Sequence, residues 1–249
     1  MLVTDKFVFL HLPRSGGTFV SEVIRQFFAS AHEIGYHLPR VALPAEYSHL
    51  RVLGTVRNPW AFYVSWYCHQ QANSRHGPLI SFLSEDWKLD FIQTTRNALN
   101  LGVIEDRKLN VLVQALPDRF DYERRHVANF TKDVMRKIRG SGLGLYTFRF
   151  NQMFEPTDDV YFCRVESLRA DLVAFFEKIG VANDALRSYV LDSEKKNISE
   201  HLHYSTYYTP ELAELVLIRD RPLIERFGYV FEQASSVENE GPKPSVVSP

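Results

Sequence analysis

The apolar run Phe7-Val8-Phe9-Leu10-His11-Leu12 passes directly into the turn Pro13-Arg14-Ser15-Gly16-Gly17-Thr18. Behind that turn Val20, Val23, Ile24, Phe27 and Phe28 recur at helical spacing. A run that is apolar at nearly every position reads as a strand buried on both faces, as in a parallel sheet. The stripe behind it reads as an amphipathic helix from about Gly17 to Ala29. Strand, glycine turn and helix together are the opening unit of an α/β domain of the nucleotide-binding kind.

Two more runs have the buried-strand character, Arg51-Val52-Leu53-Gly54-Thr55-Val56 and Val160-Tyr161-Phe162-Cys163-Arg164-Val165. Between the first two strands, Ala31–Leu50 reads as loop with room for one short strand. Asn58 is a fair N-cap with Pro59 at the first helical position, and Trp60, Val64, Tyr67 and Cys68 give the following helix one apolar stripe. Residues 73–159 read as mostly helical, broken near Asn73–Pro78, Pro117–Asp118 and Gly140–Gly144. Leu168, Leu172, Phe175, Phe176 and Ile179 mark a helix that stops at Gly180. Thr209-Pro210-Glu211 caps a late helix, which Pro222 restarts or kinks. Gln233–Pro249 has no periodicity and reads as a flexible tail.

The expected architecture is therefore one α/β domain over residues 1–232. It has a central parallel sheet flanked by helices and a helical insertion at 73–159, followed by the tail at 233–249. The 249 residues, 45% hydrophobic and 24% charged, match a soluble globular chain and exclude collagen-like, disordered and disulfide-scaffold classes. With 18 Phe and 12 Tyr the core should be aromatic-rich. Lys and Arg number 29 against 30 Asp and Glu, a formal net charge of −1, so nothing global advertises nucleic acid. Two cysteines, Cys68 and Cys163, cannot form a framework and point to a reducing compartment. No stretch reaches the ~20 apolar residues of a membrane span. A first strand beginning within six residues leaves no room for a stem or anchor, so the expected location is the cytoplasm.

The glycine turn carries the first chemical signal. Glycines let backbone N–H groups close on an anion, the helix N-terminus adds partial positive charge, Arg14 adds a fixed cation, and Ser15 and Thr18 add hydroxyls. Such a loop suits a phosphate or sulfate group. The triphosphate loop G-x-x-x-x-G-K-[ST] is absent, and no Lys precedes Thr18. A plain strand-to-helix turn using glycine for positive φ is the alternative reading of the loop alone. The second signal is Val56-Arg57-Asn58-Pro59-Trp60 with Ser65 on the following helix. An arginine fork there could hold a second phosphate with a hydroxyl beside it; alone, a structural Arg at a strand end explains it.

Taken together, Pro13-Arg14-Ser15-Gly16-Gly17-Thr18 resembles the 5′-phosphosulfate loop of sulfotransferases, and Arg57-Asn58-Pro59-Trp60 with Ser65 resembles their 3′-phosphate motif. Arg164-Val165-Glu166-Ser167-Leu168 is similar to the family's strand-end R-x-E-x-L element. Tyr207-Tyr208-Thr209-Pro210-Glu211-Leu212 and Phe227-Gly228-Tyr229 are similar to the close of its bacterial and carbohydrate-type branch. Residues 73–159 carry little that matches.

The resemblance implies a P-loop-like fold, the donor 3′-phosphoadenosine 5′-phosphosulfate (PAPS) with adenosine 3′,5′-bisphosphate (PAP) as its product, and no metal. It implies donor contacts from Arg14, Ser15, Gly16, Gly17, Thr18, Arg57 and Ser65. The acceptor would be a hydroxyl on a glycan or sugar-containing small molecule. Many cytosolic members carry Lys where Arg14 stands. Arg keeps the charge but cannot release a proton, so Arg14 is expected to act as an electrostatic clamp.

The acceptor's base is sought among His32, Glu33, His37 and His49; Gly35-Tyr36-His37-Leu38-Pro39 resembles the segment that faces the acceptor. His37 is preferred, with Glu33 as the alternative. Lys195, Lys196, Asn197, Ser199, His201 and Tyr204 form a polar stretch that in the family closes over the donor. His201-x-His203 lacks a third metal ligand. Arg124-Arg125 and Lys132–Arg139 read as a solvated charged face, with contact to an anionic sugar as the alternative. Glu166 and Arg164 are expected to tie the sheet to a neighbouring loop, and His11 and Cys163 to be packing residues. A nucleotide kinase or NTPase, and a non-catalytic nucleotide-binding homologue, are the alternatives to sulfuryl transfer.

Overall fold

The computed structural model describes residues 1–73, 77–119, 130–155, 159–194 and 201–233. Five strands occur among them: β1 (Leu2–Val3), β2 (Phe7–Leu10), β3 (His32–Glu33), β4 (Arg51–Val56) and β5 (Val160–Arg164). The helices before β5 are α1 (Gly17–Phe27), α2 (Pro59–Ala72), α3 (Pro78–Ser84), α4 (Phe91–Leu99), α5 (Asp106–Gln114), α6 (Lys132–Arg136) and α7 (Leu145–Phe154). Those after it are α8 (Leu168–Lys178), α9 (Asp184–Asp192), α10 (Pro210–Arg219) and α11 (Arg221–Phe227).

The strands form one sheet in the order β3-β1-β2-β4-β5. Its centre is parallel: Val8 lies opposite Val52 in β2–β4, and Val52 opposite Val160 in β4–β5. The expected all-parallel sheet is corrected at its other edge, where β1 pairs antiparallel with both β2 and β3. The cause is local. The Thr4 hydroxyl accepts from the Phe7 amide and donates to the Phe7 carbonyl, both at 2.9 Å, and folds Leu2–Val3 back onto β2. Strand β2 also ends at Leu10, so His11 and Leu12 belong to the loop that follows, and His11 does not pack from within a strand as expected.

Successive residues of each strand point to opposite faces. Phe7, Phe9, Leu53 and Cys163 pack with Val20 and Ile24 of α1 and Phe175 and Phe176 of α8. Val8, Leu10, Val52 and Val56 pack on the other side with Phe62 and Tyr63 of α2 and Tyr146 and Phe154 of α7. The expected aromatic core is there: the fully buried Phe7 ring meets Phe28 edge-on at 5.1 Å and Phe175 at 5.2 Å. Burying each such ring contributes about 1.5–3 kcal/mol. Within 73–159 the described residues are mostly helical as read, and Leu79, Leu83, Leu99, Leu112 and Ile138 join the same core as α2.

Asn58 caps α2 by accepting from the Trp60 amide at 3.0 Å, and Thr209 caps α10. Helix α1 stops at Phe27, two residues short of its expected end, because Phe28 is extended. Of the tail, residues 234–249 lie outside the described residues. No helix among the described residues is long and apolar enough to cross a membrane.

Candidate functional site

Strands β2, β4 and β5 are parallel, so their carboxyl ends open on one side, and ligands of open α/β sheets bind at such ends. The turn Pro13–Gly16 leaves β2 there, Arg57 leaves β4, and Glu166 follows β5. Arg14 stands at φ 62 and Gly16 at φ 77. For a side-chain-bearing residue that left-handed conformation costs about 1–2 kcal/mol, and strain of this kind concentrates at functional positions. Helix α1 starts at Gly17 with no side-chain cap and no acidic residue in its first turn. Its first amides therefore face the loop with partial positive charge.

The two glycines serve the protein rather than an empty cradle. A Cβ on Gly17 would lie 2.0 Å from the His11 ring, and one on Gly16 would lie 2.8 Å from Leu168. Their lack of side chains lets His11 and the start of α8 close on the loop. Thr18 is exposed, whereas Ser15 is fully buried.

The two motifs meet. The Arg14 guanidinium donates to the Ser65 hydroxyl from Nη2 at 2.9 Å and from Nε at 3.3 Å. Arg57 Nη1 donates to the Arg14 carbonyl at 3.4 Å. Ser65 thus bonds to Arg14, whereas its expected place is beside Arg57. Tyr146 Oη joins both loops: it accepts from the Arg57 amide at 2.9 Å and lies 3.3 Å from Ser15 Oγ. Arg57 Nε is buried and has no hydrogen-bond partner among the described residues. Glu166 accepts from the Asn58 amide at 2.8 Å and from Tyr229 Oη at 3.3 Å, tying β5 to the neighbouring turn as expected. Burial, with Arg57 adding to it, lowers the Arg14 guanidinium to about 10, so it stays charged at neutral pH. Burial lowers Arg57 as well. Two like charges pressed together in this way favour an anion between or beside them.

The second half of the site is built around His37, another side-chain-bearing residue at positive φ, 55°. Its Nδ1 lies 2.7 Å from the His11 carbonyl. A carbonyl only accepts, so Nδ1 carries the proton and Nε2 of the neutral ring keeps the lone pair. Burial first, and the nearby Arg149 charge among the lesser causes, push His37 down to about 4. His37 lines a cleft of about 90 Å³ together with Lys137, Arg149 and Gln152; Val41, Phe130 and Met153 form apolar walls.

Glu33 is not among the cleft's lining residues. It is exposed on β3 and its carboxylate is held by Arg25 at 2.5 Å. His32 and His49 are exposed too. Burial lowers His201, and the charges of Arg57 and Arg14 also act on it, which sets it near both. Lys195, Lys196, Asn197 and Ser199 lie outside the described residues, as do Arg124 and Arg125. Lys132, Arg136 and Arg139 pair with Asp118, Asp133 and Asp106 in a charged surface face, as read from the sequence. No group of three or more His, Cys, Asp or Glu able to hold a metal occurs among the described residues.

Tyr146 and Arg149, both on α7, were not picked out by sequence reasoning. The usable signal is Arg149 itself, a charge set between Phe148 and Phe150 in an otherwise apolar aromatic helix. The helix is anchored by Asp220, fully buried, which accepts from the Thr147 amide at 2.9 Å, the Thr147 hydroxyl at 2.6 Å and Tyr63 Oη at 2.8 Å. Compared with protein-family models, curated proteins and solved structures, the chain matched none.

Proposed function

We propose that this chain is a sulfotransferase on a P-loop-like scaffold, working in the cytoplasm and moving a sulfuryl group from PAPS to a hydroxyl of a sugar-containing acceptor. The observation that carries this reading is the junction of Arg14 and Arg57 at the uncapped start of α1. The fit to a nucleotide with two anionic groups rests on Arg57 Nε, a buried donor that lacks an acceptor among the described residues. A phosphate oxygen would supply one.

The donor, when bound, brings an activated sulfuryl group. The chain supplies the rest. Arg14, oriented by Ser65, and the first amides of α1 would hold negative charge that grows on the leaving phosphate. Arg14 stays protonated and so works as a clamp. Arg57 would grip the 3′-phosphate. His37 Nε2 would take the proton from the acceptor hydroxyl.

Titration calorimetry with PAP and with ATP tests the reading. PAP is expected to bind and ATP to bind far more weakly. A preference for ATP would favour the kinase alternative, and PAP binding with no turnover on any acceptor would favour a non-catalytic homologue.

Two substitutions sharpen the test. Arg57→Ala is expected to weaken PAP by ~10–150-fold, the worth of a charge-assisted bond, while affinity for the nucleotide lacking the 3′-phosphate barely changes. Equal losses toward both nucleotides would make Arg57 a structural residue. Arg14→Ala is expected to lower turnover at saturating donor by ~10²–10³-fold, and unchanged turnover would remove its assigned role.

A further inference from the structure

Building on the sulfotransferase reading, we propose that the cleft beside His37 is an acceptor subsite for an oxyanion, a carboxylate or sulfate ester already present on the acceptor. Arg149 would grip it, with Lys137 at its edge. Arg149 is 7% exposed and its Nε has no hydrogen-bond partner among the described residues. Among the described residues its guanidinium makes no hydrogen bond and no ion pair; its one close partner is the face of Phe130, 4.9 Å away. A buried charge without a counterion costs several kcal/mol. On the same helix the buried Thr147 hydroxyl is met by Asp220, to which Tyr63 bonds as well, yet no Asp or Glu is among the described residues that line this cleft. The guanidinium is left for an anion that enters from outside.

The size fits part of an acceptor. At about 90 Å³ the cleft admits a carboxylate or sulfate and the edge of a ring. Val41, 73% exposed on its wall, offers apolar surface to the rest of a sugar.

The position fits as well. Arg149 lies one helical turn beyond Tyr146, which touches Ser15 in the donor loop, and His37 lines the same cleft with Nε2 unprotonated. An acceptor anchored by its anion would thus be held within reach of both the base and the donor loop. Such anchoring gives specificity, because a neutral sugar would leave Arg149 buried and unpaired.

The test titrates the full chain with glucuronate, glucose 6-sulfate and glucose, and separately with PAP. The anionic sugars are expected to bind at least ~10-fold more tightly than glucose, the worth of one charge-assisted bond. Arg149→Gln and Lys137→Gln are each expected to erase most of that preference. A bias to glucuronate identifies the carboxylate as the native group, and a bias to glucose 6-sulfate identifies the sulfate ester; either supports the subsite. Equal binding of all three sugars, or no saturation by either anionic one at its solubility limit, overturns it. So does a preference that survives both substitutions. If Arg149→Gln does not fold, the exposed Lys137 carries the test alone. PAP binding without any anion preference removes the subsite and spares the donor reading. Anion preference without PAP binding removes the donor reading and leaves the cleft as an anion site.

Discussion

His37→Gln is expected to keep PAP affinity and to lose ~10²–10⁴-fold in turnover, the usual contribution of a positioned general base. The argument begins with the tautomer. The His11 carbonyl takes the Nδ1 proton, so Nε2 is the basic atom, and the residue sits in the cleft rather than in the donor loop. Glutamine can keep a donor toward His11 but has no basic nitrogen, so positioning survives and proton transfer does not. Glu33→Gln is the control. Its carboxylate is already held by Arg25 on the far edge strand, and full activity is expected. An active His37→Gln alongside a dead Glu33→Gln would reverse the assignment.

The depressed His37 also links activity to stability through pH. In the unfolded chain His37 has an ordinary value of 6.5; in the fold it is pushed to about 4. Protons are therefore bound more readily by the unfolded state. Stability is complete above about pH 6.5 and is lost as pH falls toward 4, by about 3 kcal/mol at most from this residue. His11, held well below its usual value by burial, adds a loss of the same sign. Thermal midpoints should fall on acidification from pH 6.5 to 4, and more gently in His37→Gln. A slope identical to that of the wild type would mean that His37 titrates normally. Turnover should hold level from pH 8 down to about 5, because the neutral base persists there.

Asp220→Ala should cost about 3–5 kcal/mol of folding stability, a large share of the ~5–15 kcal/mol of a typical domain. Alanine would strand the Thr147 amide, the Thr147 hydroxyl and the Tyr63 hydroxyl, all buried. Tyr63 Oη also accepts from the Tyr146 amide at 3.2 Å, so the start of α7 would lose two anchors together. Asp220→Asn keeps an acceptor and should cost less. Urea denaturation measures both, and a loss under about 1 kcal/mol for the alanine variant would show that α7 is held by packing alone.

What the sequence showed plainly is what local physics determines. Strands β2, β4 and β5 announce themselves because each is apolar on both faces. Helices α1 and α8 do so by their stripes, and α2 and α10 by Asn58-Pro59 and Thr209-Pro210. Strands β1 and β3 are two residues each, too short to display alternation, and exist only through pairing at the edge. The two candidate anion loops were legible because each is a contiguous motif at a strand end. The α7 contribution was not. Its helix is buried nearly all round, so it lacks a readable stripe, and Tyr146 acts on Ser15 and Arg57, residues remote in the chain. Ser65 stands out in the sequence as a candidate, but its partner Arg14 could be assigned only in three dimensions.

The order β2-β4-β5 has a consequence for how the chain is made. Strand β4 gains its first neighbour early, from β2, but its second, β5, is synthesised about a hundred residues later. During vectorial synthesis at ~5–20 residues per second, that edge of β4 stays open for roughly 5–20 seconds. Helices α2 to α7 accumulate in that interval without a complete sheet to pack on. Closing so long a loop is slow, and an unpaired apolar edge is the part of a nascent chain most prone to pair with a neighbour. The exposure ends when Val160–Arg164 docks, so the strand that follows the helical insertion shields the amino-terminal part of the sheet from aggregation.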